Sequence, residues 1–274
     1  MAQTAAETRT PSRAAKREHV GMAMYDATVV RTTRLTPHLV RITLGDERLR
    51  DYRDDGPDAR FKLLLPRPGQ TAPMLPPEQD WYDHWRAMDP AVRPVMRTYT
   101  VRAVRPEVAE LDIDVVLHEP AGPACRWAAS AQPGDRVGVF AGWAEYEVEP
   151  GVRQLIAGDH TALPAVAGIG ERLGENDRAT IVVEVPGPED VLALQVPAGV
   201  EVTWVFTRPG DPGAALHDAL TALPADRVGD YVWVCAEQAA VARIRRHLVR
   251  DRGLSPDQVM WMGYWRTGGQ IDLD

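Results

Sequence analysis

Leu111-Asp112-Ile113-Asp114-Val115-Val116-Leu117-His118 carries Leu111, Ile113, Val115 and Leu117 at every second position, set against Asp112, Asp114 and Val116. A period of two puts neighbouring side chains on opposite faces, so the stretch reads as a strand with one buried face. Its surroundings share the habit. Leu39-Val40-Arg41-Ile42-Thr43-Leu44 alternates, Tyr25–Thr32 carries Val29 and Val30, and Arg60-Phe61-Lys62-Leu63-Leu64-Leu65 is a short strand stopped by Pro66. Val95–Val104 and Arg136–Phe140 add two more, the second after the turn Pro133-Gly134-Asp135. Residues 66–96 are proline-rich and read as a long excursion with a helical turn at Trp81–Trp85. Loops of that length tend to be functional or mobile. A short helix is expected at Ala124–Ala131. Many strands and few helices predict an antiparallel barrel over residues 21–149, preceded by a disordered tail at 1–20.

Beyond Glu149–Arg153 the rhythm changes. Strands are expected at Gln154–Ala157, Thr180–Val185, Glu201–Thr207, Tyr231–Ala236 and Gln258–Gly263. Helices are expected between them at Thr161–Leu173, Gly213–Leu223 and Glu237–Arg252. Strands alternating with helices predict a parallel α/β domain over residues 150–274, its sheet covered by the helices. A cofactor held between two such halves suits the arrangement, although fold alone does not settle function.

The whole-chain numbers narrow the choice. The 274 residues carry a formal net charge of -8, which argues against a general nucleic-acid binder. The two cysteines, Cys125 and Cys235, form no Cys-x-x-Cys pair, so no zinc site, redox dithiol or disulfide framework is expected. The first twenty residues lack the apolar run of a secretory signal, and no window approaches the ~18 apolar residues of a membrane span. A soluble, cytoplasmic protein is expected, with monomer as the default. The seven histidines form no spaced metal motif.

Arg97-Thr98-Tyr99-Thr100 is the motif with chemistry in it. On a strand Arg97 and Tyr99 share a face. An Arg holds phosphate with a planar fork of donors. A Tyr two residues on can lie against an isoalloxazine ring, and Thr100 can offer a hydroxyl or an amide near the flavin N5. The same spacing also describes an ordinary barrel strand with a surface Arg and a packed Tyr.

Arg-x-Tyr-[Thr/Ser] is the flavin signature of the ferredoxin–NADP reductase superfamily, and the longer string Arg97–Arg102 resembles its siderophore-interacting branch, the ferric-siderophore reductases. The resemblance is carried by an ordered set. It comprises Thr36–Gly45, Phe61–Pro66, Arg97–Arg102, Leu111–His118, Gly122–Ala128, Ala157–Ala165 and Gly263–Arg266, spanning nearly everything from residue 24 onward. It implies FAD in the barrel domain, NADPH or NADH as electron donor, and a ferric siderophore as acceptor.

The resemblance also implies residue roles. Arg97, Tyr99 and Thr100 match the flavin motif, with Tyr99 and Thr100 at the reacting ring. His118, Gly122, Ala124, Cys125 and Trp127 match the pyrophosphate and adenine side. Physically, Gly122 lets a backbone approach closely and the helix near Ala124 aims free amides at a diphosphate. Cys125 departs from the usual Ser or Thr, and a thiol is a weak donor; a small buried residue is the other reading. Phe140–Tyr146 departs from the usual Gly-Pro-rich turn.

On the nicotinamide side the implied residues are Asp159, Thr161, Arg208, Glu237 and Trp265. Either Thr161 or Asp159 can cap the helix that follows. His160 replaces the usual Glu and is expected either to alter the pH dependence near neutrality or to be a solvated cap residue. Arg208 suits a 2′-phosphate, favouring NADPH, or is a loop Arg before Pro209. Glu237 stands near the nicotinamide or is only a helix-starting acid. Trp265 stacks on the cofactor or is core. Ferric siderophore complexes are often anionic, and Lys62, Arg126 and Arg266 are the candidate basic side chains at the opening. A flavin reductase serving a partner protein, and a siderophore carrier without nicotinamide activity, are the competing readings.

Overall fold

The computed structural model describes residues 23–269, so the tail expected at 1–20 lies outside the described residues. Twelve strands and six α-helices are described. The strands are β1 (Met24–Thr36), β2 (Leu39–Gly45), β3 (Arg60–Leu65), β4 (Val95–Thr100), β5 (Ala103–Arg105), β6 (Glu110–Val116), β7 (Arg136–Ala141), β8 (Arg153–Asp159), β9 (Arg178–Val185), β10 (Glu201–Phe206), β11 (Tyr231–Glu237) and β12 (Val259–Trp265). The helices are α1 (Trp81–Ala87), α2 (Pro123–Ser130), α3 (Leu163–Arg172), α4 (Ala214–Ala222), α5 (Ala225–Val228) and α6 (Gln238–Arg246).

The first sheet is antiparallel, in the order β4-β3-β7-β1-β2-β6-β5. Its two edges are consecutive in sequence, and the residues between them close the barrel. Val101 N–H donates to Ala59 O (2.8 Å) on one edge and Arg102 N–H to Asp112 O (2.9 Å) on the other. The single strand expected at Val95–Val104 is therefore two strands, split where the chain crosses from one edge to the other. Inside lie Ile42, Leu44, Phe61, Leu63, Leu111, Ile113 and Val115. Full burial of such side chains contributes roughly 1.5–3 kcal/mol each.

The polar positions of β6 are buried as well, because arginines cover them. Asp114 receives Arg41 (2.7 and 2.8 Å), and Asp112 receives Arg105 and the Thr43 hydroxyl (2.7 Å). The excursion after β3 brings α1 back over the outer face. Trp81 lies 4.3 Å from Phe140, and Leu64, Met96 and Met24 complete that small core.

The second sheet is parallel, in the order β10-β9-β8-β11-β12. The order reverses between β8 and β11, and the crevice outside the strand ends at such a point is where open α/β sheets hold ligands. The helix expected from Glu237 to Arg252 is α over Gln238–Arg246 and π over His247–Asp251. The barrel and the α/β domain of the sequence reading are both present.

Buried polar contacts join the two sheets. Asp58, just before β3, accepts from Glu145 N and Tyr146 N and from the Trp233 indole of β11, each at 3.0 Å. Asp190, after β9, accepts from the Thr36 hydroxyl (2.6 Å), His38 N (3.1 Å) and His38 Nδ1 (2.8 Å) in the β1–β2 turn. Arg102 pairs with Glu171 of α3. Gly142 is required here, since a Cβ would stand 1.8 Å from Arg60 O.

Candidate functional site

The flavin motif lies on β4, paired with β3 so that Thr100 faces Arg60 and Arg97 faces Leu63. Arg60 reaches the second domain: its guanidinium meets Met262 of β12 and donates to Glu145 (3.2 Å). The strand therefore runs from Arg97 towards the domain junction at Thr100. Thr100 is buried, and Tyr99 packs against the barrel core. Burial raises the Tyr99 pKa, so its phenol stays neutral.

Arg97 is half-buried, and burial lowers its pKa. Its guanidinium donates to Met96 O at 2.7 Å and meets no carboxylate among the described residues. A desolvated cation without an anion is costly unless a ligand supplies one. The start of α2 is open in the same sense. Gly122 is its N-cap, no side chain caps it, and a Cβ there would find open space. Free amides at a helix start accept an anion. Trp127 Nε1 is buried without a partner among the described residues. An uncompensated Arg, an uncapped helix start and an orphaned indole N–H fit a group carrying a diphosphate and an aromatic base.

Cys125 is buried, and its Sγ receives His118 N–H at 3.3 Å. The thiol is thus used to hold α2 against the end of β6, with Ala124 buried beside it. Arg126 is exposed on α2 and donates to Ala121 O.

At the switch between β8 and β11, Asp159 ties three elements together. Its Oδ2 accepts from Glu237 N (2.8 Å) and the Trp265 indole (2.7 Å), while Oδ1 accepts from Thr161 N (2.9 Å) and the Thr161 hydroxyl (2.6 Å). Burial raises the Asp159 pKa and these four bonds oppose it. Glu237 caps α6 through Ala239 N (2.6 Å) and Ala240 N (2.9 Å) and accepts from Thr267 N (3.2 Å). Asp159, Thr161, Glu237 and Trp265 are thus brought together. The carboxylates of Asp159 and Glu237 are engaged within the protein. Thr161 caps no helix, since α3 begins at Leu163 behind Ala162.

His160 overturns its sequence reading. It is 6% exposed, and neither ring nitrogen has a hydrogen-bond partner among the described residues. Burial pushes its pKa down to about 4, with Asp190 opposing and His38 assisting. It is not a solvated cap residue, and it stays neutral through the physiological range, so the expected titration near neutrality does not arise from it.

Of the basic candidates, Lys62 lies on the outer face of β3 and donates to the Thr98 hydroxyl at 2.9 Å. Burial, helped by Arg60, lowers its pKa to about 8. Arg126 and Arg266 stand on α2 and beyond β12. Arg208, exposed after β10, pairs with Asp218 of α4 at 2.7 Å. The sequence reading missed Asp58, Glu184, Asp190 and Asp218. Nothing in their local strings marks them, because their partners stand far along the chain. No group of three or more His, Cys, Asp or Glu among the described residues could hold a metal ion, and no described helix could cross a membrane.

Residues 28–144 match the siderophore-interacting FAD-binding domain, and residues 152–268 match the siderophore-interacting protein domain. The siderophore-interacting protein SipS of Aeromonas hydrophila is 35% identical with a TM-score of 0.75, covering 91% of this chain and 94% of its own. A siderophore utilization protein from T. fusca is 32% identical with a TM-score of 0.78, covering 93% and 98%. The ferric vibriobactin reductase ViuB of Vibrio cholerae is 28% identical over 242 residues, 87% of this chain and 88% of its own.

Proposed function

The chain belongs to the siderophore-interacting protein family with its FAD-binding domain, and on that premise we propose that it reduces ferric siderophores with electrons from a reduced nicotinamide, releasing Fe(II). The observation that carries the reading is the uncompensated Arg97, on a strand that leads to the domain junction and whose Tyr99 interacts electrostatically with Cys125 of α2, together with the uncapped start of that helix. The similarity to a ferric vibriobactin reductase supports the choice of acceptor. FAD, when held there, would supply the conversion of a two-electron hydride donor into single electrons, so that one nicotinamide would account for two Fe(III) and one released proton.

The protein's part is to hold and enclose. Arg97 and the α2 amides would hold the diphosphate, Tyr99 and Thr100 would serve the ring, and Trp265, held by Asp159, would wall the junction from the second domain. The α/β domain presents the nicotinamide at the β8–β11 switch. Reduction weakens the hold of hard oxygen donors on iron, so the protein needs no iron ligand of its own.

Anaerobic stopped-flow of the flavin spectrum tests this. NADH or NADPH should bleach the flavin, and ferric hydroxamate or catecholate complexes should restore it. Bleaching without reoxidation by any ferric complex would point to a partner protein as acceptor. Siderophore binding without bleaching would point to a carrier.

Lys62 supplies a pH prediction. Its ammonium is charged below about 8 and neutral above, so attraction for an anionic ferric complex falls as pH rises. KM for such a complex should therefore climb between pH 7 and 9. Lys62→Gln should raise KM at pH 7 by about 3- to 10-fold, as for one charge-assisted contact partly screened by solvent, and flatten the profile. An unchanged slope in the variant removes Lys62 from the opening.

A further inference from the structure

We propose that the nucleotide edge of the second domain selects a dinucleotide lacking a 2′-phosphate, so that NADH is preferred over NADPH, with Asp218 as the specificity-determining residue. The proposal rests on the reading that a reduced nicotinamide reduces the flavin.

Ligands of a parallel sheet meet its carboxyl edge, where the following helices begin. Free amides at a helix start form a ready phosphate site. At this edge two of those starts are already filled by the chain's own buried carboxylates. Glu184, at the end of β9, accepts from Gly213 N and Leu216 N of α4, each at 2.8 Å. Glu237, at the end of β11, accepts from Ala239 N and Ala240 N of α6. Both acids are under 5% exposed, at 2% and 4%. The contrast with the uncapped α2 of the barrel domain is direct. A phosphate can be received at α2, while α4 and α6 present amides that already hold an anion.

The side chains at the end of β10 complete the pattern. Arg208 pairs with Asp218 (2.7 Å), and Arg243 pairs with Asp211 (3.4 Å). Arg208 and Asp211 also form a backbone bridge, so the four groups share one locality. Two guanidiniums meet two carboxylates, so the formal charge of these four cancels, and the His217 ring stands 3.3 Å from Asp218 beside them. All four side chains are solvent-exposed, so the ion pairs are weak and do not lock Arg208. What decides selection is the summed field. A 2′-phosphate arriving there meets as much negative as positive charge. A ribose 2′-hydroxyl instead finds carboxylates that accept its hydrogen bond, the arrangement that serves a nucleotide without the extra phosphate.

The test compares 5′-AMP with 2′,5′-ADP, which differ only in the 2′-phosphate, by calorimetry on FAD-loaded protein. Flavin reduction by NADH and NADPH is followed in parallel. Wild type should bind 5′-AMP at least as tightly as 2′,5′-ADP and be reduced more efficiently by NADH. Asp218→Asn should raise both 2′,5′-ADP affinity and kcat/KM for NADPH by about three- to tenfold, the scale of one exposed charge against a doubly charged group. NADH should change less than about twofold, as for an uncharged ribose hydroxyl at an exposed site. Asp218 lies on the exposed face of α4, so the variant should melt with wild type. A wild-type preference for 2′,5′-ADP and NADPH, an Asp218→Asn variant with unshifted preference, or no binding of either adenylate overturns the proposal. Flavin that neither nicotinamide reduces, with adenylate selection intact, overturns the functional reading instead.

Discussion

Arg97→Gln should purify with little or no flavin and bind added FAD roughly 10- to 100-fold more weakly than wild type, the loss expected for one hydrogen-bonded charge. Gln keeps a polar side chain of similar reach but gives up the cation and the forked donors. The Arg97 guanidinium is half-buried, donates to Met96 O and meets no carboxylate among the described residues. That position costs free energy, and burial shows the cost by lowering the pKa. Removing the charge should therefore leave the flavin-free protein as stable as wild type, or slightly more so. The flavin-bound form should lose stability in proportion to the lost affinity. Flavin content on purification, fluorescence titration of the apoprotein and melting with and without FAD check the three expectations. Wild-type FAD affinity in Arg97→Gln would remove Arg97 from the diphosphate site. A flavin-free variant much less stable than wild type would show that Arg97 is a structural residue first.

The strand alternation at Leu111–Leu117 was legible because a period of two survives any tertiary context that buries one face. So was the change of rhythm after Glu149, because helices covering a parallel sheet leave their own spacing. The Arg97-Thr98-Tyr99-Thr100 string by itself says little. It gained meaning from the ordered strings around it. What stayed hidden was contact between distant residues. The crossing at Val101–Arg102 is decided by the barrel closing, not by the local string, which reads as one strand through Val104. Asp112 and Asp114 look solvated until Arg105 and Arg41 are folded over them. His160 looks exposed on a turn until the β1–β2 hairpin and Asp190 enclose it. The string around Arg208 gives no sign of Asp218, which α4 brings against it.

These hidden contacts give the two halves different characters. The barrel leaves a cation and a helix start uncompensated, and so is poised for an anion it keeps. The α/β domain fills the starts of α4 and α6 with its own carboxylates and leaves α3, at the β8–β11 switch, without a side-chain cap, which suits a nucleotide that must arrive and leave. Tight binding at one edge and exchange at the other is what a resident flavin and a diffusing electron donor require.

On the proposed function the spacing of those two edges matters, and Asp58 is one of the buried groups that bridge them. Asp58 is 1% exposed, and its carboxylate receives Glu145 N, Tyr146 N and the Trp233 indole. The first two belong to the connection between β7 and β8, and the third to β11 of the second sheet. Asp58→Ala leaves three donors buried without an acceptor. At about 1–3 kcal/mol for each orphaned group, less than additive, the loss should be about 3–5 kcal/mol. For a chain of this size that lowers Tm by roughly 10 °C. The effect on catalysis should exceed what stability alone explains. A hydride donor must come within about 3–3.5 Å of its acceptor, and a displacement near 1 Å costs on the order of 100-fold. Below its melting range, FAD-loaded Asp58→Ala should therefore reduce its flavin at least about tenfold more slowly at saturating nicotinamide. FAD affinity should hold within about twofold, because Arg97 and α2 lie on the barrel side. Asp58→Asn separates geometry from charge. Its amide oxygen can still accept from Glu145 N and Tyr146 N, but its NH2 group then faces the Trp233 N–H, donor against donor. It should melt between wild type and Asp58→Ala and retain more of the flavin-reduction rate. A flavin-reduction rate in Asp58→Ala equal to wild type, at a temperature where both are folded, would mean that the remaining contacts, Asp190 with His38 and Arg102 with Glu171, suffice to hold the two edges in register.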